Sequence, residues 1–484
     1  MKGLTPAVLA GALALAGPAH AGGPTMLVGA AEDFVKQPDI VSSKAKLDLG
    51  RLAGFDSVRV TVNWMPGQTA PPAAEAKQLA TLAAAARLSG VRVLVAVFHP
   101  GSRTTPLTDE ARAEFSSFAA AIARANPSFR TFIIGNEPNL NRFWLPQFNP
   151  DGSNAAAPAY LQLLARTYDE LKAVSPAITV VGGVVSPRGI DRPGSGRDTH
   201  SPTKFIRDLG LAYRASGRTV PVMDQFAIHP YPDSNQQTPA DWAHPNSTTI
   251  GLADYGKLVA LLAEAFDGTA QPGSTLPILY AEFGVQSAVP AEKASHYTGA
   301  ELATTPPVDE ATQGTRYREA IQLAFCQPNV RGLFFFHIAD EPALPAWQSG
   351  VFYADGSPKT SLPAVAAAAA ASRRGIVARC EGLALTPTAR RLRPPTGSIP
   401  SRQQVRFRLD CDIDCDYTAR LERMPAGTAV LTRRGRAIGR TLTTLAFPRR
   451  VLRPGTYRIS VELVAPVNPG PPGTRTSVSF RVRR

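Results

Sequence analysis

The sequence predicts a (β/α)8 barrel followed by a small all-β sandwich of immunoglobulin-like type. Three observations predict this. The chain has 484 residues, which suits a barrel plus a smaller module. From about residue 24 to residue 375, short apolar runs alternate with helical patterns, as in repeated βα units. Beyond that point the periodicity changes to two. The expected organisation is therefore 1–21 signal peptide, 22–375 barrel and 376–484 accessory sandwich.

Eight strands are expected in order: Thr25–Gly29, Ser57–Asn63, Val91–Phe98, Thr131–Gly135, Thr179–Val185, Gln225–His229, Ile278–Glu282 and Gly332–His337. Most are rich in Val, Ile, Leu or Phe, as strands buried on both faces must be. Helices are expected over Ala73–Leu88, Asp109–Ala125, Tyr160–Val174, Pro202–Ala215, Leu252–Phe266, Gln313–Cys326 and Ser361–Ser372. An open doubly wound sheet is the rival fold, but the first turn has no Gly-x-Gly-x-x-Gly.

Leu385–Pro400 is rich in Pro, Thr and Arg and reads as a linker or irregular edge. Period-two runs follow: Val405, Phe407 and Leu409; Tyr457, Ile459, Val461 and Leu463; Val478, Phe480 and Val482. They imply the sandwich. The formal net charge is +14, and residues 371–484 carry 23 Arg, no Lys and 7 acidic residues, a net +16 that leaves the rest near −2. This basic module can contact an anionic polymer or cell surface. A solvated Arg-biased face is the plainer reading, and no basic helical stripe or aromatic ladder points to nucleic acid.

Residues 1–21 read as a secretory signal peptide. Lys2 supplies the charge, Leu9–Ala16 the apolar run and Ala19-His20-Ala21 the cleavage site near Ala21. The expectation is an extracellular protein without a transmembrane segment. Export would let the four Cys form disulfides. Cys411 and Cys415 close a short loop, and Cys326 and Cys380 pair by elimination, although four Cys allow three connectivities. Zinc is the rival, but Cys-Asp-Ile-Asp-Cys has no second close pair.

Reactive residues of a barrel sit at the C-terminal ends of its strands. The second strand contains Arg59, the third ends at His99, and the fourth runs into Asn136-Glu137-Pro138-Asn139. The sixth ends His229-Pro230-Tyr231, the seventh Tyr280-Ala281-Glu282, and the eighth at His337 with Asp340 and Glu341 beyond. Two carboxylates at the ends of strands four and seven would face each other across the mouth. Retaining glycoside hydrolysis needs such a pair about 5 Å apart. Glu137 is expected as general acid/base and Glu282 as nucleophile. Asn136 can hold a sugar 2-hydroxyl, Tyr231 can hydrogen-bond Glu282, and Arg59 can keep it ionised.

These residues resemble clan A glycoside hydrolases, nearest the cellulase-like family 5 and family 39. The resemblance covers about residues 24–375. It rests on Asn-Glu-Pro after the fourth strand and the lone Glu after the seventh. It implies Asn136 and Glu137 as the acid/base pair, Glu282 as nucleophile, and Arg59, His99, His229 and Tyr231 as their supports. Family 5 usually places a Trp on the eighth strand. Here that strand reads Phe334-Phe335-Phe336-His337, and Trp347 is the nearest Trp.

Trp64, Trp144, Trp242 and Trp347 all fall in expected loops on the active face, where ring faces can stack on sugars. Two of the four are expected to touch substrate, and the others to cap the barrel. Each site residue alone has a bland reading: a turn Glu before Pro, a structural His, an Arg pairing any carboxylate. Their coincidence at matching strand ends carries the assignment. No metal or other cofactor is expected. The rival functions are a degenerate glycan-binding barrel, a transglycosylase of the same fold, and an adhesin acting through the sandwich.

Overall fold

A strand flanked by helices outside and other strands inside has no solvated face, so its residues are apolar throughout. Val93 to Val97 meet this condition and are buried; Val58, Val60 and Val62 are buried too, but alternate with Arg59 and Thr61. The computed structural model describes residues 22–300, 305–473 and 476–484. The expected signal peptide, residues 1–21, lies outside the described residues.

Strands β1 (Leu27–Ala31), β2 (Ser57–Asn63), β3 (Arg92–Phe98), β4 (Thr131–Ile134), β5 (Thr179–Val185), β6 (Gln225–Ile228), β7 (Ile278–Phe283) and β8 (Val330–Phe336) close in chain order. All eight pairings are parallel, with β1 closing on β8. Leu94, Ile133, Val181, Ala227, Leu279 and Phe334 fill the barrel interior. A larger apolar shell lies between the strands and helices α1 (Ile40–Leu52), α2 (Ala73–Ser89), α3 (Asp109–Ala125), α4 (Ala156–Val174), α5 (Pro202–Ala215), α6 (Tyr255–Phe266), α7 (Glu310–Phe325) and α8 (Leu362–Arg373). Side-chain caps start several of them: Asp39, Thr108, Ser201 and Asp309 accept from the backbone three residues on.

The sequence reading differs from the structure at identifiable places. It contains no helix at α1, whose buried face is only Ser43, Leu47 and Gly50. Strand β1 begins two residues later than expected, because Gly23–Thr25 form a turn of 3-10 helix with Pro at its start. Leu385–Pro400 is an edge rather than a linker, the second of its two readings, since both of its strands lie at sheet ends. It contributes β9 (Ala389–Arg393) and β10 (Ser398–Pro400).

The remaining strands are β11 (Arg406–Cys411), β12 (Cys415–Arg423), β13 (Thr428–Ala437), β14 (Thr443–Ala446), β15 (Gly455–Val464) and β16 (Thr476–Arg483). They form two sheets, β10-β16-β15-β12-β13 and β14-β11-β9, over a shared core of Phe407, Tyr417, Leu421, Ile459 and Phe480. Both expected disulfides are present, Cys326–Cys380 and Cys411–Cys415.

The sandwich meets the barrel at the floor, the end where the strands begin. Leu383 and Leu385 pack against Gly23 just before β1, and Ile413 and Pro24 close on Gly375 after α8. Arg374 makes a forked pair with Asp414 at 3.0 and 2.8 Å. Asn468 donates to the Ala378 carbonyl at 2.9 Å and accepts from the Cys380 N–H at 2.7 Å. The mouth of the barrel is left open.

Candidate active site

The turn after β4 delivers Glu137 in a backbone conformation that L residues seldom adopt. Gly135 has φ 88° and Glu137 φ 42°. A side chain at Gly135 would meet the ring of Tyr160, whose hydroxyl donates to the Ile134 carbonyl at 2.7 Å. On the other side, a bulge in β5 turns the Val184 carbonyl toward the Glu137 N–H at 2.8 Å. Asn139 is fully buried. Its amide donates to the His200 carbonyl at 2.9 Å and its oxygen accepts from the Ser186 N–H at 2.8 Å. Gln147 donates to the Pro138 carbonyl at 3.0 Å. This buried polar bracing fixes the acidic side chain's origin against the relaxation its backbone favours.

Glu282, near the end of β7, receives three partners. Arg59 of β2, itself 3% exposed, makes an ion pair to Oε1. The Tyr231 hydroxyl donates to Oε2 at 2.8 Å. His229 Nδ1 lies 3.6 Å from the same oxygen. Burial alone would push the Glu282 carboxyl up, but His229, Arg59 and Tyr231 outweigh it and hold it below the usual carboxylate value. Tyr231 shifts the opposite way: burial and the adjacent Glu282 charge keep its hydroxyl protonated far above the usual range.

His229 ties the two acids together. Its Nδ1 is 3.1 Å from Glu137 Oε1 and 3.6 Å from Glu282 Oε2, so those oxygens are no more than about 6.7 Å apart. Arg59 also donates to Asn136 Oδ1 at 3.4 Å. Since an Arg can only donate, this fixes the amide orientation and leaves the Asn136 NH2 for another acceptor.

These groups open into a cleft of about 1070 Å³ at the barrel mouth. Arg59, Asn136, Glu137, Tyr231, Glu282, His337 and Trp347 line it. Trp347 packs beside Tyr231 with ring centres 4.9 Å apart and edge-on to Phe336 at 5.5 Å. The loop after β8 thus supplies the indole that the strand itself lacks. Glu341 accepts from the Trp347 N–H at 2.9 Å and holds that loop. Asp340 is structural: it is paired with Lys359 at 2.7 Å, both side chains fully buried.

Three of the four tryptophans are not cleft residues. Trp64 packs on Phe115, Trp144 on His99 and Tyr160, and Trp242 on Phe283, each at most 1% exposed. The loops above the barrel bury a second apolar layer of their own, and these rings fill it. His99 belongs to the same layer; its Nδ1 donates to the Gly101 carbonyl at 2.9 Å, and it does not line the cleft. His229 is wholly buried and reaches the site only through the two glutamates.

Glu32, at the end of β1, is a cleft residue absent from the sequence reading. Burial raises its carboxyl to about 7 despite His337 and three backbone N–H donors, from Phe34, Ile338 and Ala339. His337 Nδ1 donates to the Ala31 carbonyl at 2.9 Å and lies 3.8 Å from Glu32. The position of Glu32 at a strand end was the available signal. Among the described residues no group of three or more His, Cys, Asp or Glu could hold a metal ion, and no helix is long and apolar enough to cross a membrane.

No family model matches the chain, and no curated protein matches it in sequence. Solved structures do. GH5_18 from Streptomyces cattleya, in complex with GlcNAc, is 18% identical, with a TM-score of 0.50 over 78% of this chain and 84% of that one. The exo-beta-1,4-mannosidase Op5Man5 from Opitutaceae bacterium strain TAV5 is 18% identical at 0.45, over 73% and 60%. A Bacteroides uniformis beta-glucuronidase is 12% identical at 0.45; the match takes 95% of this chain but 46% of that one, so the chain spans less than half of its length. What the likeness shows is the fold, a closed (β/α)8 barrel.

Proposed function

We propose that the chain is a retaining β-glycoside hydrolase of poly- or oligosaccharides. The observation that carries this reading is the two-acid geometry. Glu137 and Glu282, brought from β4 and β7, share one His229 nitrogen within 3.1 and 3.6 Å. Retaining enzymes hold their carboxyls about 5–5.5 Å apart and inverting enzymes about 6.5–9.5 Å. A ceiling near 6.7 Å on the oxygen pair favours the former. The sugar bound in the S. cattleya structure is in keeping with a carbohydrate substrate.

In the first step Glu282 attacks the anomeric carbon as its glycosidic C–O bond breaks, and Glu137 protonates the departing oxygen. Arg59 and Tyr231 keep Glu282 ionised and aimed. The Asn136 NH2 donates to the sugar 2-hydroxyl, a contact that tightens as oxocarbenium character develops. Trp347 gives the ring an apolar face to rest on. In the second step Glu137, now ionised, takes a proton from water. That water's oxygen bonds the anomeric carbon, and the ester to Glu282 breaks.

The protein is further proposed to be exported. Residues 1–21 read as a signal peptide, and two bonded disulfides suit an oxidising compartment. The decisive assay uses aryl β-glycosides with the variants Glu282→Ala and Glu137→Ala and added azide. Azide should restore turnover in both, giving the inverted glycosyl azide with Glu282→Ala and the retained one with Glu137→Ala. Undiminished hydrolysis by Glu282→Ala would overturn the assignment.

A further inference from the structure

The sandwich carries a cationic face that its own acids do not neutralise. In β11, Phe407 and Leu409 point into the core, so Arg406 and Arg408 point out, and both are exposed. Arg408 stands directly opposite Arg393 of β9, also exposed. Like charges facing each other across a strand pair destabilise a sheet. No ion pair or side-chain hydrogen bond joins Arg393, Arg406 or Arg408 to any acid among the described residues. The face has one carboxylate, Asp410. It is buried, opposite Arg391 in register and 4.0 Å from Arg390.

The other sheet also carries Arg with no ion pair among the described residues, such as Arg434, Arg481 and Arg483, but part of its charge is neutralised. There Asp416 pairs with Arg436 at 2.8 Å and Glu422 with Arg458 at 2.7 Å. Composition points the same way. Residues 371–484 use 23 Arg and no Lys, whereas residues 1–370 contain 10 Lys. Solubility is served by either residue. The planar guanidinium fork, by contrast, fits a carboxylate or sulfate in two hydrogen bonds.

We propose that the outer face of the three-stranded sheet β14-β11-β9 binds an acidic polysaccharide through Arg391, Arg393, Arg406 and Arg408. Arg406 and Arg408 stand about 7 Å apart along the strand, and Arg393 about 5 Å across from Arg408. This grid suits a linear polymer with charges repeated along its length. The strands of this face present no exposed aromatic ring on which bases could stack, which disfavours single-stranded nucleic acid. The choice of a glycan over other polyanions rests on the carbohydrate reading of the cleft. The face belongs to the module seated at the barrel floor, so holding the polymer leaves the mouth unobstructed.

The test uses the full chain. Affinity electrophoresis through gels containing polygalacturonate should retard the wild type strongly, less as salt rises, and neutral dextran should not retard it. The quadruple variant Arg391→Gln, Arg393→Gln, Arg406→Gln, Arg408→Gln should bind at least tenfold more weakly, while the quadruple Arg→Lys variant recovers part of the loss. Both should cleave an aryl β-glycoside at the wild-type rate, since none of the four residues approaches the cleft. Wild-type retention of the Gln variant would overturn the proposal. Equal or tighter wild-type binding to duplex DNA or to phosphatidylglycerol vesicles would overturn the glycan class. Inactivity of every variant, wild type included, on aryl glycosides would count against the cleft reading alone.

Discussion

Replacing Tyr231 with Phe removes one hydroxyl from the cleft wall and leaves the ring that packs beside Trp347 at 4.9 Å. The lost bond is the 2.8 Å donation to Glu282 Oε2. A hydrogen bond to a charged group is worth about 1.5–3 kcal/mol. Because Tyr231 donates to the ionised carboxylate, its loss shifts the ionisation equilibrium of Glu282 toward the acid. The sign follows from the environment. Burial raises Glu282, and His229, Arg59 and Tyr231 together hold it down, so deleting one of them lets it rise. The acid limb of kcat/KM, which reports the free enzyme's essential groups, should therefore move toward neutral pH. The assay is a pH series of kcat/KM on an aryl β-glycoside, with thermal denaturation to confirm that the fold is intact. An acid limb that stays in place while kcat falls would refute the argument that Tyr231 acts through nucleophile ionisation.

Glu137→Ala should lower kcat/KM about 10²–10⁴-fold for glycosides with poor leaving groups and far less for activated ones, as a leaving-group series would show. Trp347→Ala should raise KM about 2–10-fold with little change in melting temperature. Trp144→Ala, deleting a core ring, should instead cost about 3–5 kcal/mol in denaturant titration. His244 lies between Asp233 at 2.7 Å and Asp254 at 2.8 Å, and these carboxylates, overriding burial, raise its pKa above the ordinary value. Its contribution to stability is full below about pH 6 and fades as pH rises through the raised value. The melting-temperature deficit of His244→Asn should thus be largest near pH 6 and smallest near pH 9. Cys380→Ser opens a loop of sequence separation 54 and should cost about 4 kcal/mol, read as a lower denaturation midpoint.

What the sequence made legible, and what it hid, divides along physical lines. Strands β2 and β5 were legible to the residue because β-branched residues make up most of each and most of their positions are buried. The pairing of Glu137 with Glu282 was legible because strand order in a closed barrel dictates which ends converge. Helix α1 was hidden because its buried face is two small residues and one leucine, too little apolar area to show a period. The structure caps it with Asp39, which accepts from the Ser42 N–H at 2.9 Å. The tryptophans misled for a related reason. Position in a loop says which end of the barrel a ring is at, but not whether the loop folds over it. Nothing local separates Trp347, beside the cleft, from Trp64, whose Nε1 donates to the Gln68 carbonyl at 2.8 Å in the interior. Glu32 was hidden because the expected first strand stops at Gly29, whereas β1 runs on to Ala31 and delivers Glu32 at its end. Its significance lies in the three backbone N–H groups that converge on it from β1 and β8 loops.

The contact at the barrel floor has a consequence for anyone who would take the protein apart. Leu383, Leu385 and Ile413 belong to the same apolar cluster as the barrel's own shell, and the Cys326–Cys380 bond crosses the seam. Cutting the chain where its composition changes would strip a hydrophobic footing and strand an unpaired thiol at Cys326. Where the text of the chain changes voice is therefore not where the molecule can be divided, and the two halves share a single foundation.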